Sequence, residues 1–355
     1  MPFDRITEHD YEQVTYFSDA ETGLRAIVAI HDTTLGPALG GTRFYDYETE
    51  DDALDDALRL SRAMTYKAAA ADLDLGGGKA VIFGDPDELK TDALLEAYGR
   101  TIASLGGRFV TSVDMNTTAA DMDIIARETD DVVGTQSGFG DPSPVTATGV
   151  RHAIHATVER EFGRRSLDGI EVAVQGLGKV GGALVEQLAE RGADVTVTDL
   201  SEDRIVTFQD EYGVDAVASD AVYEHPCDLF VPAAIGGVID DRTIPQLDCA
   251  AVVGVANNVL AERRHAEALA DRGITYVPDY VANAGGLITV EQEHRGGTIE
   301  AALDRVEELD DRLETMFARA DAEDTTVLAA AEAYAEQRLA EASGDRDWTA
   351  ATMPC

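Results

Sequence analysis

Apolar and polar positions follow a regular pattern over the second half of the chain. Short β-prone runs alternate with stretches whose apolar residues recur at helical spacing, which predicts strands at 170–175, 194–199, 228–231, 250–254 and 274–278 and helices at 179–191, 202–211 and 262–272. This alternation is typical of parallel strands joined by right-handed helical crossovers, and so predicts a doubly wound α/β fold. A strongly acidic region from about residue 299 to residue 342 is predicted to be helical.

The first part of the chain is less regular but also mixes helices and strands. The pattern predicts strands at 23–30, 39–47, 80–83 and 108–113 and helices at 50–70, 88–104 and 118–127. Residues 134–144 are rich in glycine, serine and proline and predict a hinge. Ser143 is expected to cap the helix that follows, with Pro144 at its first position.

The length of 355 residues exceeds one ordinary core, since domains usually hold about 100–200 residues. We therefore expect two domains, an α/β domain over residues 1–135 and a doubly wound domain over residues 136–330. A C-terminal helix over residues 331–355 is expected to pack back on the first domain.

The charge balance excludes several classes of partner. The chain has 68 Asp and Glu against 28 Lys and Arg, a formal net charge of -40. Binding to nucleic acids or to anionic membranes would need the opposite sign, and no run of about 18 apolar residues predicts a membrane span. The N-terminal residues show no secretory pattern, and three dispersed cysteines make neither a disulfide framework nor a metal site. We expect a cytoplasmic protein without a metal.

The basic residues are few and unevenly divided. Four of them are lysines, Lys67, Lys79, Lys90 and Lys179, so the remaining 24 of the 28 are arginines. A surface rich in carboxylates and poor in lysine repels itself unless salt screens the charges. This composition indicates a host with a salty cytoplasm, and an acidic but otherwise ordinary protein is the alternative.

A glycine motif predicts that the second domain, residues 136–330, is a dinucleotide-binding Rossmann domain. The predicted strand ending at Gln175 leads into Gly-Leu-Gly-Lys-Val-Gly, and a helix follows. In such a motif the glycines permit a tight turn, close approach of a pyrophosphate and close helix packing. The predicted cofactor-binding residues here are Gly176, Gly178, Lys179, Val180 and Gly181, together with Asp199 at the end of the next strand. A carboxylate at that position accepts hydrogen bonds from a ribose and repels a 2′-phosphate, which favours NAD over NADP.

Two of the four lysines lie in one apolar and glycine-rich stretch of the first domain. Lys67 and Lys79 are twelve residues apart, and Asp114 follows a predicted strand. Two lysines held close would lower the pKa of at least one of them, which suits an acid/base near neutrality. Ordinary surface lysines are the alternative.

These segments resemble the amino-acid dehydrogenases of the glutamate/leucine/phenylalanine/valine group. The resemblance rests on the run from Met64 to Lys79, on Asp114, on Pro144-Val145-Thr146, on the glycine motif and on Asn283-Ala284-Gly285-Gly286. It implies NAD-dependent oxidative deamination of an L-amino acid to a 2-oxo acid and ammonium by a homo-oligomer. A non-catalytic NAD-binding relative would be expected to lack Lys67, Lys79 or Asp114, and all three are present.

The resemblance also implies that residues 1–135 form the substrate-binding and catalytic domain, and it implies roles for single residues. Lys67 would bind the substrate α-carboxylate, helped by the backbone of Gly40 and Gly41. Lys79 would activate the water that attacks the iminium intermediate, and Asp114 would exchange protons with the substrate amine.

On the cofactor side, the resemblance implies that Thr146 contacts the nicotinamide part of NAD. Either Asn257 or Asn258 would reach the nicotinamide ribose or carboxamide, and the sequence does not choose between them. Asn283 would shape the adjoining pocket.

The substrate is expected to be apolar. Leu39 stands where glutamate-specific relatives have a lysine, and Val290 where they have a serine, with Met64 and Leu287 as further pocket residues. This favours leucine, valine and isoleucine, closest to the leucine-type members, with phenylalanine as the alternative. Ser112 and Val113 depart from the leucine-type pattern, and one methylene is worth only about 1–3 kcal/mol in an apolar pocket.

We predict that the unfolding midpoint of the protein rises between low and multimolar KCl, because added ions screen the repulsion among its 68 acidic residues. Thermal or denaturant unfolding across that range measures the effect. A midpoint that stays flat or falls would contradict the salt hypothesis.

Overall fold

A computed structural model of the protein describes residues 2–344, which divide into unit 1 (residues 2–138 and 333–344) and unit 2 (residues 139–332). The first 138 residues form these elements in order: α1 Pro2–Glu8, β1 Gln13–Asp19, β2 Leu24–Asp32, β3 Ala38–Tyr45, α2 Glu50–Ala70, β4 Gly76–Phe83, α3 Pro86–Leu89, α4 Asp92–Ala103, β5 Phe109–Val113 and α5 Ala119–Ile125.

The rest of the described chain begins with a long helix and continues as alternating strands and helices. Its elements are α6 Ser143–Phe162, β6 Glu171–Gln175, α7 Lys179–Ala189, β7 Asp194–Thr198, α8 Glu202–Tyr212, β8 Asp215–Ala216, β9 Leu229–Pro232, a 3-10 turn at Ile244–Gln246, β10 Ala251–Val253, α9 His265–Ala270, β11 Thr275–Val277, α10 Asp279–Ala282, α11 Gly285–His294, α12 Ile299–Glu307, α13 Leu309–Glu323 and α14 Val327–Gly344.

Unit 2 confirms the predicted doubly wound fold. Its strands lie in the order β11-β10-β9-β6-β7-β8, and every neighbouring pair is parallel. The order reverses beside β6, so the carboxyl end of that strand, where the glycine motif begins, is the place at which such folds bind ligands.

Unit 1 contains a mixed sheet in the order β1-β2-β4-β3-β5. The strand β2 is antiparallel to β1 and β4, whereas β3 is parallel to β4 and β5. Helix α2 covers one face, where Leu54 and Leu58 pack with Ile27 and Val81. The other face packs on α4, with Tyr98 fully buried among its neighbours. Both faces are therefore buried, which explains the nearly continuous apolar runs of these strands.

Strand β4 differs from its prediction. The sequence predicts a strand at 80–83, but the strand begins at Gly76. A Cβ on Gly77 would lie 2.1 Å from Thr65 Oγ1 of α2, and one on Gly78 would lie 2.6 Å from the ring of Phe109 in β5. The glycines are strand residues that let α2 and β5 approach, rather than turn residues.

Some other predictions differ from the structure. The first 20 residues contain α1 and β1, which the pattern did not predict. The predicted helix at 88–104 is two helices, because Thr91 caps α4 by accepting from the Leu94 amide at 3.2 Å. Ser143 is not a cap: it lies inside α6, whose cap position is Pro142. The Ser143 amide and hydroxyl both donate to Asp141, at 3.0 and 2.6 Å.

The C-terminal part of the described chain is α14. In unit 1, Tyr334 donates to Asp72 Oδ2 at 2.9 Å and Arg338 donates to the carbonyl of Leu73 at 2.6 Å. The predicted C-terminal segment extends to residue 355, and residues 345–355 lie outside the described part. Within residues 2–344, no helix is both long and apolar enough to cross a membrane.

Candidate active site

Lys79 and Asp114 meet on the face of the unit 1 sheet that α2 covers. Lys79 Nζ lies 2.8 Å from Asp114 Oδ2, and Lys79 is only 6% exposed. Successive strand residues point to opposite faces. Ser112 of β5 pairs with Gly41 of β3, so residues at alternate positions of β3, β4 and β5 share this face. The sheet therefore brings Lys79 and Asp114, which are 35 residues apart in the sequence, into contact.

The position of Asp114 depends on its neighbours in the backbone. A Cβ on Gly41 would lie 2.8 Å from the Asp114 Cβ, so glycine is needed there for the carboxylate to approach β3. Thr117 fixes the end of the strand, since its Oγ1 accepts from the Asp114 amide at 2.8 Å and donates to the Thr42 carbonyl at 2.9 Å.

Burial is the largest influence on the pKa of both groups. It lowers the pKa of Lys79 below the ordinary lysine value, since an ammonium is disfavoured away from water, and Asp114 offsets only part of this effect. Burial alone would raise the pKa of Asp114, but Lys79 and Arg43 outweigh it and hold that pKa below the ordinary aspartate value. The site therefore holds a carboxylate beside an amine that releases its proton more readily than an exposed lysine.

The cause of the low lysine pKa differs from the sequence-based explanation. The direction agrees with the prediction, but repulsion from Lys67 was the expected cause. Burial is the main cause, and Arg43 is the cation that adds to it.

Arg43 is the residue that the sequence reasoning missed. Its Nε donates to Asp114 Oδ2 at 3.0 Å and its NH1 donates to Asp56 Oδ2 at 2.7 Å. Tyr47 donates its hydroxyl to the same Asp56 oxygen at 2.7 Å. A signal was available, because Arg43 lies two residues after Gly41 on a strand and so shares its face.

The other predicted residues of unit 1 lie on elements next to this pair. Lys67 is half-buried in the last turn of α2, two residues after Thr65, whose backbone nitrogen would lie 2.2 Å from a Cβ on Gly77. Met64 precedes them on the same helix and is also half-buried.

Of the predicted residues of β3, Leu39 and Gly40 are buried and Gly41 is half-buried. Leu39 is 2% exposed and pairs with Gly77 of β4. A Cβ on Gly40 would lie 1.8 Å from the Gly78 carbonyl, so β3 and β4 approach each other through glycines.

The glycine motif of unit 2 leaves room for a phosphate. Gly176 has φ of +104°, a value that favours glycine, and a Cβ on Gly181 would lie 2.1 Å from the Gly176 carbonyl. By contrast, a Cβ on Gly178 would meet nothing within 4 Å, so the surface before α7 is open there. These residues fit a dinucleotide pyrophosphate at the N-terminus of α7. Val180 is half-buried, and Lys179 is exposed and pairs with Asp141 at 2.9 Å.

Asp199 lies next to this motif. Its Oδ2 accepts from the Leu177 amide at 2.7 Å and its Oδ1 accepts from the Ser201 amide at 2.8 Å. The carboxylate is thus fixed beside the glycine turn, at the end of β7.

Two asparagines of unit 2 are joined directly. Asn283 Nδ2 donates to Asn257 Oδ1 at 3.0 Å and to the Val255 carbonyl at 2.9 Å. Asn258 lies in the left-handed region, with φ of +56°. The loop is anchored by Asp279, whose Oδ2 accepts from the Val259 amide at 2.8 Å. The sequence left Asn257 and Asn258 open, and Asn257 is the one whose side chain accepts from Asn283.

The same segment packs against the start of α6. A Cβ on Gly285 would lie 2.8 Å from the Thr146 Cα, and one on Gly286 would lie 3.2 Å from Thr146 Oγ1. Thr146 donates its hydroxyl to the Pro142 carbonyl at 2.9 Å. Leu287 is buried, and Val290, three residues later on α11, is half-buried.

Among the described residues, one group of side chains brings three possible metal ligands together. Asp241, Glu262 and His265 offer ligand atoms within 4.8 Å of one another. However, Arg264 bonds both carboxylates, at 2.6 Å to Asp241 and 3.0 Å to Glu262. The Glu262 amide donates to His265 Nδ1 at 3.0 Å, which places the proton of a neutral ring on Nε2. This group is therefore an arginine-centred ion-pair network.

Comparison with known families identifies the chain. Residues 11–131 match the family model described as the Glu/Leu/Phe/Val dehydrogenase dimerisation domain, and residues 196–346 match that of the Glutamate/Leucine/Phenylalanine/Valine dehydrogenases. The chain belongs to the glutamate/leucine/phenylalanine/valine dehydrogenase family. It is thus an amino-acid dehydrogenase similar to leucine dehydrogenase, an oxidoreductase acting on a CH–NH2 group.

Individual relatives of the dehydrogenase cover almost the whole chain. The leucine dehydrogenase of Geobacillus stearothermophilus is 48% identical over 340 residues, 95% of this chain and 93% of that protein. The phenylalanine dehydrogenase of Lysinibacillus sphaericus is also 48% identical, over 93% of this chain and 88% of that protein. The crystal structure of L-tryptophan dehydrogenase from Nostoc punctiforme matches with a TM-score of 0.89 and 42% identity, covering 97% of this chain and 100% of that one. Overall identity therefore does not separate the substrates.

Replacing Thr117 with valine is predicted to lower both stability and activity of the dehydrogenase. The variant leaves the Asp114 amide without its acceptor, which costs about 1–3 kcal/mol of unfolding free energy, and displacement of the carboxylate lowers kcat by about 10²-fold at most. Urea unfolding and initial rates measure the two effects. Thr117→Ser keeps the hydroxyl and serves as the control; equal behaviour of the valine and serine variants would contradict this role.

Proposed function

We propose that the dehydrogenase catalyses the NAD-dependent oxidative deamination of branched-chain L-amino acids, giving the 2-oxo acid and ammonium. The observation that carries this proposal is the contact of Lys79 Nζ with Asp114 Oδ2 at 2.8 Å on a buried face of the sheet. It joins an amine of lowered pKa to a carboxylate, a pair that suits proton transfer.

Each of three unit 1 residues has a defined task in this proposal. Lys67 pairs with the substrate α-carboxylate. Asp114, as the carboxylate, accepts a proton from the α-ammonium, since only the neutral amine can pass to the iminium. Lys79, as the neutral amine, accepts a proton from the water that attacks the iminium carbon. Asp114 then returns its proton to the nitrogen of the water adduct. As the C–N bond breaks, the hydroxyl becomes the carbonyl of the 2-oxo acid and its proton passes to the released ammonia, which leaves as ammonium. Lys79 releases the proton taken from water to solvent.

A nicotinamide cofactor supplies the hydride acceptor when it is bound. We propose that Gly176, Gly178 and Gly181 receive its pyrophosphate and that Asp199 accepts hydrogen bonds from the adenosine ribose. The fixed carboxylate of Asp199 would repel a 2′-phosphate, which supports NAD rather than NADP.

Thr146, Asn257 and Asn283 are proposed to contact the nicotinamide side. The support is their placement in unit 2, where Asn283 bonds Asn257 and the glycines after Asn283 pack on Thr146. Asn283 donates to Asn257 Oδ1, so the Asn257 amide group retains donors for a ribose or carboxamide.

The proposed substrate class rests on the chemistry of three positions. Leu39 and Val290 stand where glutamate-type enzymes hold the side-chain carboxylate, and Leu287 lies one turn from Val290. All three side chains are apolar, and an unpaired carboxylate beside apolar groups costs about 2 kcal/mol or more. Glutamate should be rejected, and aliphatic side chains accepted.

We further propose that the enzyme works as a homo-oligomer in a salty cytoplasm. The match of residues 11–131 to a dimerisation domain supports assembly. The net charge of -40 supports the salt requirement, and the free thiols of Cys227 and Cys249 suit a reducing compartment.

Lys79→Ala is predicted to lower kcat with leucine by about 10²–10⁴-fold, because the proton acceptor for water is lost. NADH formation measures turnover, and NAD binding, measured by calorimetry, should persist. Lys90→Ala is the matched control, since Lys90 pairs with Asp121 at 3.2 Å instead. If Lys79→Ala deaminates leucine at the wild-type rate, the proposed mechanism is wrong.

A substrate panel should rank the amino acids as the pocket positions imply. We predict higher kcat/KM for leucine, valine and isoleucine than for phenylalanine or tryptophan, no activity with glutamate, and preference for NAD over NADP. Initial rates at low and high KCl measure this. A preference for phenylalanine would favour the phenylalanine-type alternative, whereas no turnover of any amino acid would indicate a non-catalytic relative.

A further inference from the structure

Arg43 links the candidate catalytic pair to a second carboxylate. It lies on β3 with its side chain 19% exposed and bonds Asp114 through Nε and Asp56 through NH1. A guanidinium has a rigid fork of donors, so two carboxylates on its two sides fix its plane. Arg43 therefore has little freedom to move away from Asp114.

Asp56, on α2, is itself held in place. Its Oδ2 accepts from Arg43 and from the Tyr47 hydroxyl, both at 2.7 Å, and its Oδ1 accepts from Arg59 at 2.7 Å. These contacts keep the pKa of Asp56 below the ordinary aspartate value although burial acts in the opposite direction. Asp56 is thus a permanent anion that orients Arg43.

Arg43 and Lys79 share one atom of Asp114. Both donate to Oδ2, at 3.0 and 2.8 Å. A buried carboxylate that faced Lys79 alone would stabilise the ammonium strongly and would oppose release of its proton. A second cation on the same oxygen weakens the attraction between the carboxylate and the Lys79 ammonium, and it keeps the carboxylate ionised when Lys79 is neutral.

We propose that Arg43, oriented by Asp56, is a positioning residue for the deamination: it holds the Asp114 carboxylate through Oδ2 and competes with Lys79 for that oxygen, so that the Lys79 amine can exchange its proton with water. This inference rests on the proposed function of the enzyme, and it assigns a task to a residue that touches Asp114 rather than the substrate.

Removal of the Arg43 charge should shift the pKa of Lys79 and that of Asp114 in the same direction. Arg43 lowers the pKa of Lys79 and that of Asp114, so its loss raises both. Lys79 must be neutral and Asp114 ionised in the proposed mechanism, and the rising limb of the pH profile therefore moves to higher pH. The charged groups that act most strongly on Lys79 are Asp114 after β5, Arg43 from β3 and Asp56 from α2, and those that act on Asp114 are Lys79 and Arg43. Tyr47, in the loop after β3, and Arg59 of α2 act on Asp56.

The first arm of the test compares pH profiles of kcat/KM for leucine. Arg43→Gln should lower kcat/KM at neutral pH by about tenfold or more and should move the rising limb upward by about one pH unit. Arg43→Lys keeps the charge but cannot bridge both carboxylates, so the limb should return towards wild type while kcat stays reduced. Arg100→Gln is the matched control, since Arg100 lies on α4, is 52% exposed and pairs with Glu128 instead.

The second arm is chemical rescue. A cavity of about 470 Å³ opens beside this cluster, lined by Arg43, Tyr45, Tyr47, Asp56 and Met115 among others. Guanidinium ion can therefore enter the space that Arg43→Ala vacates. Millimolar guanidinium should restore part of the activity of Arg43→Ala but none of that of Lys79→Ala. Circular dichroism and NADH binding, both unchanged, would establish that the Arg43 variants are folded.

The outcomes are distinct. Folded Arg43→Gln with the wild-type pH limb, or folded Arg43→Ala that guanidinium does not restore, would overturn the role of Arg43 while the proposed function stands. If wild type and Arg100→Gln both fail to deaminate any amino acid, the proposed function fails, and the role of Arg43 with it. A shifted limb together with guanidinium rescue supports the inference.

Discussion

The contact between Lys79 and Asp114 is the constraint on which the chemistry of this dehydrogenase depends. Burial pushes the lysine towards its neutral form and would push the aspartate the same way, yet the aspartate stays ionised because two cations donate to it. Arg43 and Lys79 meet at the same oxygen. The outcome is a carboxylate and a readily deprotonated amine within hydrogen-bond distance, as acid/base catalysis requires.

The fold permits this contact because glycines occupy the strand positions that a neighbouring element or side chain must approach closely. Glycine at position 77 admits α2, and glycine at position 41 admits Asp114. Since strand residues alternate between faces, Arg43, Lys79 and Asp114 emerge on one side of the sheet. In unit 2 glycines have a different role: those of the motif leave an open surface at the start of α7.

The sequence predicted more of the second unit than of the first. A parallel sheet with regular crossovers leaves a strong periodic signal, so the doubly wound fold was predicted, whereas β4 was predicted four residues too short because glycine in a strand resembles a turn. Lys79 stood out because lysine is rare in this chain. Arg43 did not, because arginine is common here and its contacts with Asp56 and Asp114 join residues 13 and 71 positions away. Alternation along β3 places Arg43 on the same face as Gly41, but its nearness to Lys79 and Asp114 follows from the register of β3 with β4 and β5.

The most direct test of this account is the titration of Lys79 itself. With four lysines in the chain, competitive acetylation across a pH series, read by mass spectrometry of the peptides, follows each amine separately in the enzyme without substrate. The account predicts that the Lys79 amine titrates below 10.5, the ordinary lysine value. Titration of Lys79 at or above that value would contradict it.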